Sequence, residues 1–328
     1  MNLAGKTILI TGGTGSFGRK LTEIALKECD LRALRILSRD ELKQGQMHDE
    51  FDDERLRFFI GDVRDRDRLY RAMSGVDVVI HAAALKQVPT AEYNPLEAVK
   101  TNVNGTANVI DAAIDAHVPK VMMIGTDKAV RPVNLYGATK LVAEKLFIQG
   151  NAYGVLKVRF SSVRYGNVVG SRGSVIPLFI KQRRNGVVTI TDERMTRFWI
   201  TLEQGVRFVI DSIERMRGGE IFVPKIPSMR IVDVARTLVP GARLETIGIR
   251  PGEKLHEELI TTEEAPRTRE FDHYYVIEPE HPFWVSEPQN GGAAVARDFE
   301  YRSDRNGSWL TAEELTSYVS GLGPDGGA

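Results

Sequence analysis

Residues 6–18 read KTILITGGTGSFG, a β-branched run that breaks into glycines and then into a helical pattern. Lys6 to Thr11 predicts a strand, because branched side chains pack well on a pleated surface. Arg19 to Glu28 predicts the helix that follows. Between them Gly12, Gly15 and Gly18 recur at every third position. Gly12 permits a tight turn, Gly15 a close backbone approach to a pyrophosphate, and Gly18 close packing of helix on strand. Thr14, Ser16 and Phe17 complete the turn, and the helix N-terminus offers N–H donors and positive dipole to phosphate. This strand–turn–helix predicts a dinucleotide site.

The next segments extend the same scheme. Leu34 to Leu37 predicts a second strand, ending at Ser38-Arg39-Asp40 where such folds read the ribose. Ser38 and Arg39, with Lys43 one turn on, favour NADP over NAD; Asp40 argues the other way. Leu56 to Ile60 predicts a third strand, after which Asp62 and Val63 flank an adenine or Asp62 caps the next helix. Val76 to Ile80 predicts a fourth strand. It leads to His81, read as a packed core histidine, to the small Ala82, which lets a cofactor pass, and to Lys86, placed to reach cofactor or substrate. Leu96 to Ala116 predicts one long helix. Thr101, Asn102 and Asn104 in its middle either bond inward to the active-site strand or form a solvated face, and Thr101 is a cofactor candidate.

Val121 to Ile124 predicts a short buried strand that delivers Thr126, Asp127 and Lys128 to the sheet rim. Tyr136 and Lys140 lie four apart on a helical run, so both point the same way. A Lys beside a Tyr, with a cationic nicotinamide near, is expected to lower the Tyr pKa and make it a base toward a sugar hydroxyl. Lys157 to Val163 predicts a sixth strand. Alternating strands and helices give an α/β fold: a Rossmann-type doubly wound parallel sheet over 1–165, with a smaller, mainly substrate-binding region over 166–328. In that region Arg194 and Arg197 beside Phe198 and Trp199, and the basic loop 250–254, suit a diphosphate and a base or sugar. A flexible tail is expected from about residue 320.

Composition narrows the function classes. The 328 residues are 42% hydrophobic and 27% charged, with 44 basic and 44 acidic side chains. Zero net charge gives no electrostatic case for nucleic acid or an anionic membrane as partner. No apolar run approaches 18 residues, so no membrane span is expected. Cys29 is the only cysteine, which excludes an intrachain disulfide and fits a reducing cytoplasm. The six histidines are scattered and no metal-ligand spacing occurs.

Three motifs stand in order: TGGTGSFG at 11–18, the Tyr136/Lys140 pair, and RYGNVVGSRGSV at 164–175. With them come SRDELKQ, FFIGDVRD, HAAALKQVPTAEYNP, TDKAVRPVNLYGATK, RMTRFWIT, GGEIFVPKIPSM and IGIRPGEKLHE, reaching to about residue 260. The chain resembles an extended short-chain dehydrogenase/reductase acting on a nucleotide sugar. More narrowly it resembles the UDP-N-acetylglucosamine 4,6-dehydratases that invert C5 and start pseudaminic acid synthesis. The resemblance implies that Lys140 holds cofactor ribose and Tyr136, and that Thr126 and Tyr136 contact the sugar O4. It implies Asp127 as the acid that protonates the departing C6 hydroxyl and Lys128 as the base that removes the C5 proton. Retaining dehydratases carry a Glu in place of Lys128, and a Lys base must be neutral, so burial or nearby positive charge is expected to lower its pKa. Lys86, Asn167, Arg250 and Glu253 match substrate-lining positions; Val175, Thr189 and Arg197 join them as candidates. Gly125 departs from the Ser common in relatives, with little effect expected. A homo-oligomer, a hexamer, is implied. A 4-epimerase would share the cofactor, Tyr136 and Lys140, but has no need of Asp127 with Lys128.

Overall fold

The computed structural model describes residues 3–153, 157–171, 174–280, 284 and 291–322. Residues 172–173 of the RYGNVVGSRGSV motif and 323–328 of the expected tail lie outside them.

Six short apolar segments make the framework: β1 (Thr7–Thr11), β2 (Ala33–Ser38), β3 (Leu56–Ile60), β4 (Val78–His81), β5 (Lys120–Ile124) and β6 (Arg159–Val163). They pair in parallel in the order 3-2-1-4-5-6. The order reverses between β1 and β4, so a crevice opens beyond their carboxyl ends, the place where doubly wound sheets bind ligands. All five residues of β1 are buried, as a strand covered on both faces must be.

Helices α1 (Ser16–Glu28), α2 (Glu41–Phe51), α3 (Arg66–Met73), α4 (Val88–Tyr93), α5 (Pro95–Val99), α6 (Gly105–Asp115) and α7 (Leu135–Tyr153) connect these strands. α1 begins at Ser16, three residues before the periodic run. Leu21 and Ile24 of α1 share one core with Ile8, Ile10 and Ile36 of the sheet. Leu69, Val109 and Phe147 of α3, α6 and α7 cover the other face with Leu9, Val79 and Val121.

The expected single helix over 96–116 is instead α5, a π-helical turn at Lys100–Asn104, and α6. The wider turn has a reason. Asn102 turns inward, accepting from the Leu85 N–H (2.8 Å) and donating to the Leu85 carbonyl (3.0 Å) and Thr139 Oγ1 (3.0 Å). A mid-helix Asn is thus spent on fixing the loop after β4 against α7, consistent with π-turns at functional sites.

Beyond residue 166 come β7 (Asn167–Val168), α8 (Val175–Gln182), β8 (Val187–Ile190), β9 (Thr196–Ile200), α9 (Leu202–Arg215), β10 (Ile221–Pro224), β11 (Ser228–Arg230), α10 (Ile231–Leu238), β12 (Arg243–Thr246), β13 (Glu258–Ile260), β14 (Thr268–Glu270) and β15 (Tyr274–Ile277). β10 joins the main sheet parallel to β6, and β15 and β14 extend it antiparallel. The main sheet therefore continues past residue 165. Val206, Val209 and Ile210 of α9 complete the first core. Another core, with Ile176, Phe179, Trp199, Val232 and Val234, lies under α8, β9 and α10.

Arg164, directly after β6, clips the two parts together. Its buried guanidinium donates to Glu144 of α7 (2.8 Å), to Glu264 (2.9 and 3.0 Å) and to the Leu259 carbonyl (3.2 Å). Removing the cation strands two buried carboxylates. Arg164→Met is expected to cost about 3–5 kcal/mol of unfolding free energy, read as a fall in the urea midpoint.

Candidate active site

The phosphate turn has the geometry its glycines predict. Gly12 has φ +69°, and a Cβ on it would lie 2.9 Å from the Ala83 backbone. A Cβ on Gly18 would lie 2.1 Å from the Gly13 carbonyl, so only glycine lets α1 pack on β1. Gly15 is the N-cap of α1, with no side-chain cap and no acidic residue in the first turn, so the positive helix end at Ser16 and Phe17 is left uncompensated.

Thr14 Oγ1 and Ser38 Oγ are 2.8 Å apart, tying this turn to the end of β2. Arg39 lies 3.6 Å from Asp62 and is half exposed. Asp40 caps α2 through the Lys43 N–H, and the Lys43 ammonium pairs with the same carboxylate. Asp62 does not cap α3; Asp65 does, while Asp62 binds Arg64. Val63 is buried, and the Ala82 N–H donates to the Thr11 carbonyl. Lys86 is exposed. Thr101 Oγ1 is buried with no partner, an orphan on the crevice helix that a bound ribose or nicotinamide amide would satisfy. The residues present therefore fit a dinucleotide. His81 is the core histidine expected, between Thr11 Oγ1 (2.8 Å) and Thr106 Oγ1 (3.1 Å), with burial first and Lys140 second driving its pKa to about 3.

At the end of β5 the chain turns sharply. Thr126 caps a 3₁₀ turn, Asp127–Ala129, accepting from the Lys128 N–H (3.3 Å) and donating to Asp127 Oδ1 (3.0 Å). Asp127 is fully buried, and Lys128 keeps 29% side-chain exposure. Lys128 Nζ donates to Asp127 Oδ1 (3.0 Å) and Asn167 Oδ1 (3.1 Å) and lies 3.8 Å from Glu257 Oε1. Asp127 Oδ2 has no partner.

Burial, then Glu257, push the Asp127 carboxyl up, against the pull of Lys128. Burial alone would depress the Lys128 amine, but Asp127 and Glu257 reverse this and hold it well above the ordinary lysine range. That is the opposite of the depressed base expected from sequence. Asp127 contributes most to that rise, and Glu257, brought from 129 residues away, adds to it. Tyr136 also differs from expectation: burial raises its pKa, and the cation opposing that rise is Lys128. Lys140 Nζ instead donates to the Ile124 carbonyl (2.9 Å), and burial lowers its pKa to about 8, with Glu144 acting against the fall.

The C-terminal candidates divide. Asn167 meets Lys128. Val175 opens α8. Thr189 is tied to Gln182, through its hydroxyl (2.8 Å) and its N–H (3.1 Å). Arg197, expected at a diphosphate, is buried and committed to the carbonyls of Thr196 (2.7 Å), Lys254 (2.9 Å) and Leu255 (3.1 Å). The 250–254 loop docks on the segment after Lys128: Asn134 Nδ2 donates to the Gly252 carbonyl (2.7 Å) and Lys254 to the Val130 carbonyl. Arg250 remains half exposed, 3.9 Å from Glu253. Sequence reasoning missed Glu257. Its signal, a carboxylate three residues after the basic loop, looks like ordinary surface charge until the loop is folded back. Among the described residues no group of three or more His, Cys, Asp or Glu could hold a metal, and no helix is long and apolar enough to cross a membrane.

Comparison with known proteins now has a geometry to meet. The family described as polysaccharide biosynthesis proteins matches residues 8–279. The chain belongs to this family. Within the polysaccharide biosynthesis proteins, an inverting UDP-N-acetylglucosamine 4,6-dehydratase of Campylobacter jejuni is 51% identical over 96% of this chain and 98% of its own. A UDP-glucose 4-epimerase of Rickettsia canadensis is 44% identical over 83% of this chain and 82% of its own. Of solved structures, Pen from Bacillus thuringiensis superposes with TM-score 0.88 at 39% identity, covering 98% of both chains. The dTDP-glucose 4,6-dehydratase DesIV of Streptomyces venezuelae, solved with NAD and TYD bound, shares the fold at TM-score 0.68 and 22% identity, covering 76% of this chain and 86% of that one.

Gly125 is packed more tightly than the resemblance led one to expect. A Cβ there would lie 2.4 Å from the Val163 carbonyl, which accepts the Gly125 N–H at 2.7 Å. Gly125→Ser must push β6 away and shift Thr126 and Asp127. A loss of about 1–3 kcal/mol, measured by thermal denaturation, is expected.

Proposed function

We propose that this chain is an NADP-dependent hydro-lyase that removes water from UDP-N-acetylglucosamine across C5 and C6 and inverts C5. The observation that carries the reading is the Asp127–Lys128 pair at 3.0 Å, its carboxylate fully buried, an acid and a base side by side next to Tyr136. A 4-epimerase has no use for it. A relative 51% identical over 98% of its own length bears the dehydratase name.

Gly12 to Gly18, Ser38 and Thr101 would hold the dinucleotide, with Arg39 supporting NADP because it lies half exposed at the ribose end. When bound, the nicotinamide supplies reversible hydride storage, which lets a C4 ketone exist transiently and makes the C5 proton acidic. Tyr136 takes the O4 proton, with Thr126 beside it. Lys128 removes H5, and Asp127 gives its proton to the departing O6. Both must be neutral together. The pair reaches that state by passing the ammonium proton along the hydrogen bond to Asp127, whose pKa burial has already raised. A depressed lysine pKa is not required. The pair then works with one shared proton, and its pH dependence belongs to the pair.

Lys86, Asn167, Arg250 and Glu253 are the sugar and diphosphate contacts of this scheme, and much of 166–328 serves the nucleotide. Exposed apolar side chains on α4, α5 and α7, among them Tyr93 at 87% and Leu96, Val142 and Leu146, support a homo-oligomer. The single cysteine supports a cytoplasmic enzyme supplying a pseudaminic acid type of pathway.

Incubated with UDP-N-acetylglucosamine and followed by mass spectrometry, the protein is expected to give a product lighter by one water. An unchanged mass with a new C4 configuration would establish the epimerase instead. Lys128→Ala is expected to keep dinucleotide binding and lose dehydration by on the order of 10²-fold or more, measured as turnover at saturating substrate.

A further inference from the structure

One buried carboxylate near the pair has no part in the scheme above. Glu257 precedes β13, is buried, and places Oε1 3.8 Å from Lys128 Nζ and 3.6 Å from Arg197 Nε. Its Oε2 is 3.7 Å from Lys254 Nζ. Its backbone is pinned from both sides, the N–H donating to Ser303 Oγ (2.9 Å) and the carbonyl accepting from the Ser303 N–H (2.9 Å). Arg197 fixes the chain just before it by binding the carbonyls of Lys254 and Leu255. This is a held position, and what it faces is the amine of Lys128.

We propose that Glu257 is a positioning residue for Lys128: it keeps the amine between Asp127 and Asn167 and stabilises the positive charge that Lys128 acquires as it takes H5. The proposal rests on the dehydratase reading. In that step the C5–H electrons become the C5–C6 double bond while the C6–O bond breaks. The C5 proton goes to Lys128 Nζ, and the Asp127 proton goes to the departing oxygen, which leaves as water. The side chains finish as an ammonium and a carboxylate, the charge state Glu257 favours. Burial raises the Glu257 pKa, but Lys128, Arg197 and Lys254 outweigh it and hold the carboxyl below its ordinary value.

The charged groups that decide the pH dependence are few. Asp127 and Tyr136 face Lys128 from its own turn and from α7, Arg197 approaches from β9, and Glu257 with Lys254 from the loop before β13. Removing the Glu257 charge makes the ammonium less stable, so the one-proton state of the pair shifts to lower pH. Removing Lys254 does the reverse.

The test is the pH profile of kcat for loss of water from UDP-N-acetylglucosamine, in wild type, Glu257→Gln, Glu257→Asp and Lys254→Met. Glu257→Gln is expected to move the profile about one unit toward acid, one unit being a tenfold change in proton affinity, and to lower its maximum about tenfold. Glu257→Asp keeps the charge and should keep the wild-type profile, and Lys254→Met should move it toward alkali. Variants that turn over more slowly on an unmoved profile would overturn the role of Glu257. Should Glu257→Gln fail to fold, the Lys254→Met profile decides alone, an alkaline shift supporting the role and an unmoved profile overturning it. Wild type that releases no water at any pH would overturn the dehydratase reading itself.

Discussion

A carboxylate and an ammonium held 3.0 Å apart at the end of a buried strand set the terms for the rest of this molecule. Taking two charges out of water costs several kcal/mol each unless further polar partners restore what solvation supplied. Asp127 is completely enclosed, and one of its oxygens is left without a partner. Lys128 is partnered by Asn167 and Glu257, and Arg197 and Lys254 in turn flank Glu257; all four come from beyond residue 166.

That dependence explains why the dinucleotide half and the C-terminal half are not separable layers. β10 continues the main sheet, Arg164 bridges α7 to the 259–264 segment, and Lys254 of the 250–254 loop donates to the Val130 carbonyl two residues after Lys128. A displacement of the loop would reach Lys128 through Glu257 within two contacts. The Asn102 link does the same on the opposite side, joining the loop after β4 to the start of α7. The reactive groups are therefore held by β5, the π-helical turn and the C-terminal loop together.

The charge around the pair also sets the protonation of Lys128. Low dielectric alone depresses an amine pKa, yet two carboxylates within 4 Å outweigh that effect. In the mechanism we propose, neutral lysine is reached by internal transfer to an aspartate whose own pKa burial has raised. Both proton affinities are raised, that of Asp127 by burial and that of Lys128 by its two carboxylates.

Local chemistry sufficed for much of this. Periodic apolar runs and the glycines at 12, 15 and 18 determined the parallel sheet and its phosphate turn, because turn sterics and strand burial are properties of adjacent residues. The four-residue spacing placed Tyr136 and Lys140 on one helix face for the same reason. Tertiary structure alone decided the protonation of the site. How far Lys128 is raised depends on Asp127 and Glu257 together, and whether Arg197 is free for a ligand depends on the carbonyls of Thr196, Lys254 and Leu255. Whether Thr101 and Asn102 face water or turn inward depends on a π-helical turn. Each of these is an electrostatic or packing relation between residues far apart in the chain, and no local pattern carries it.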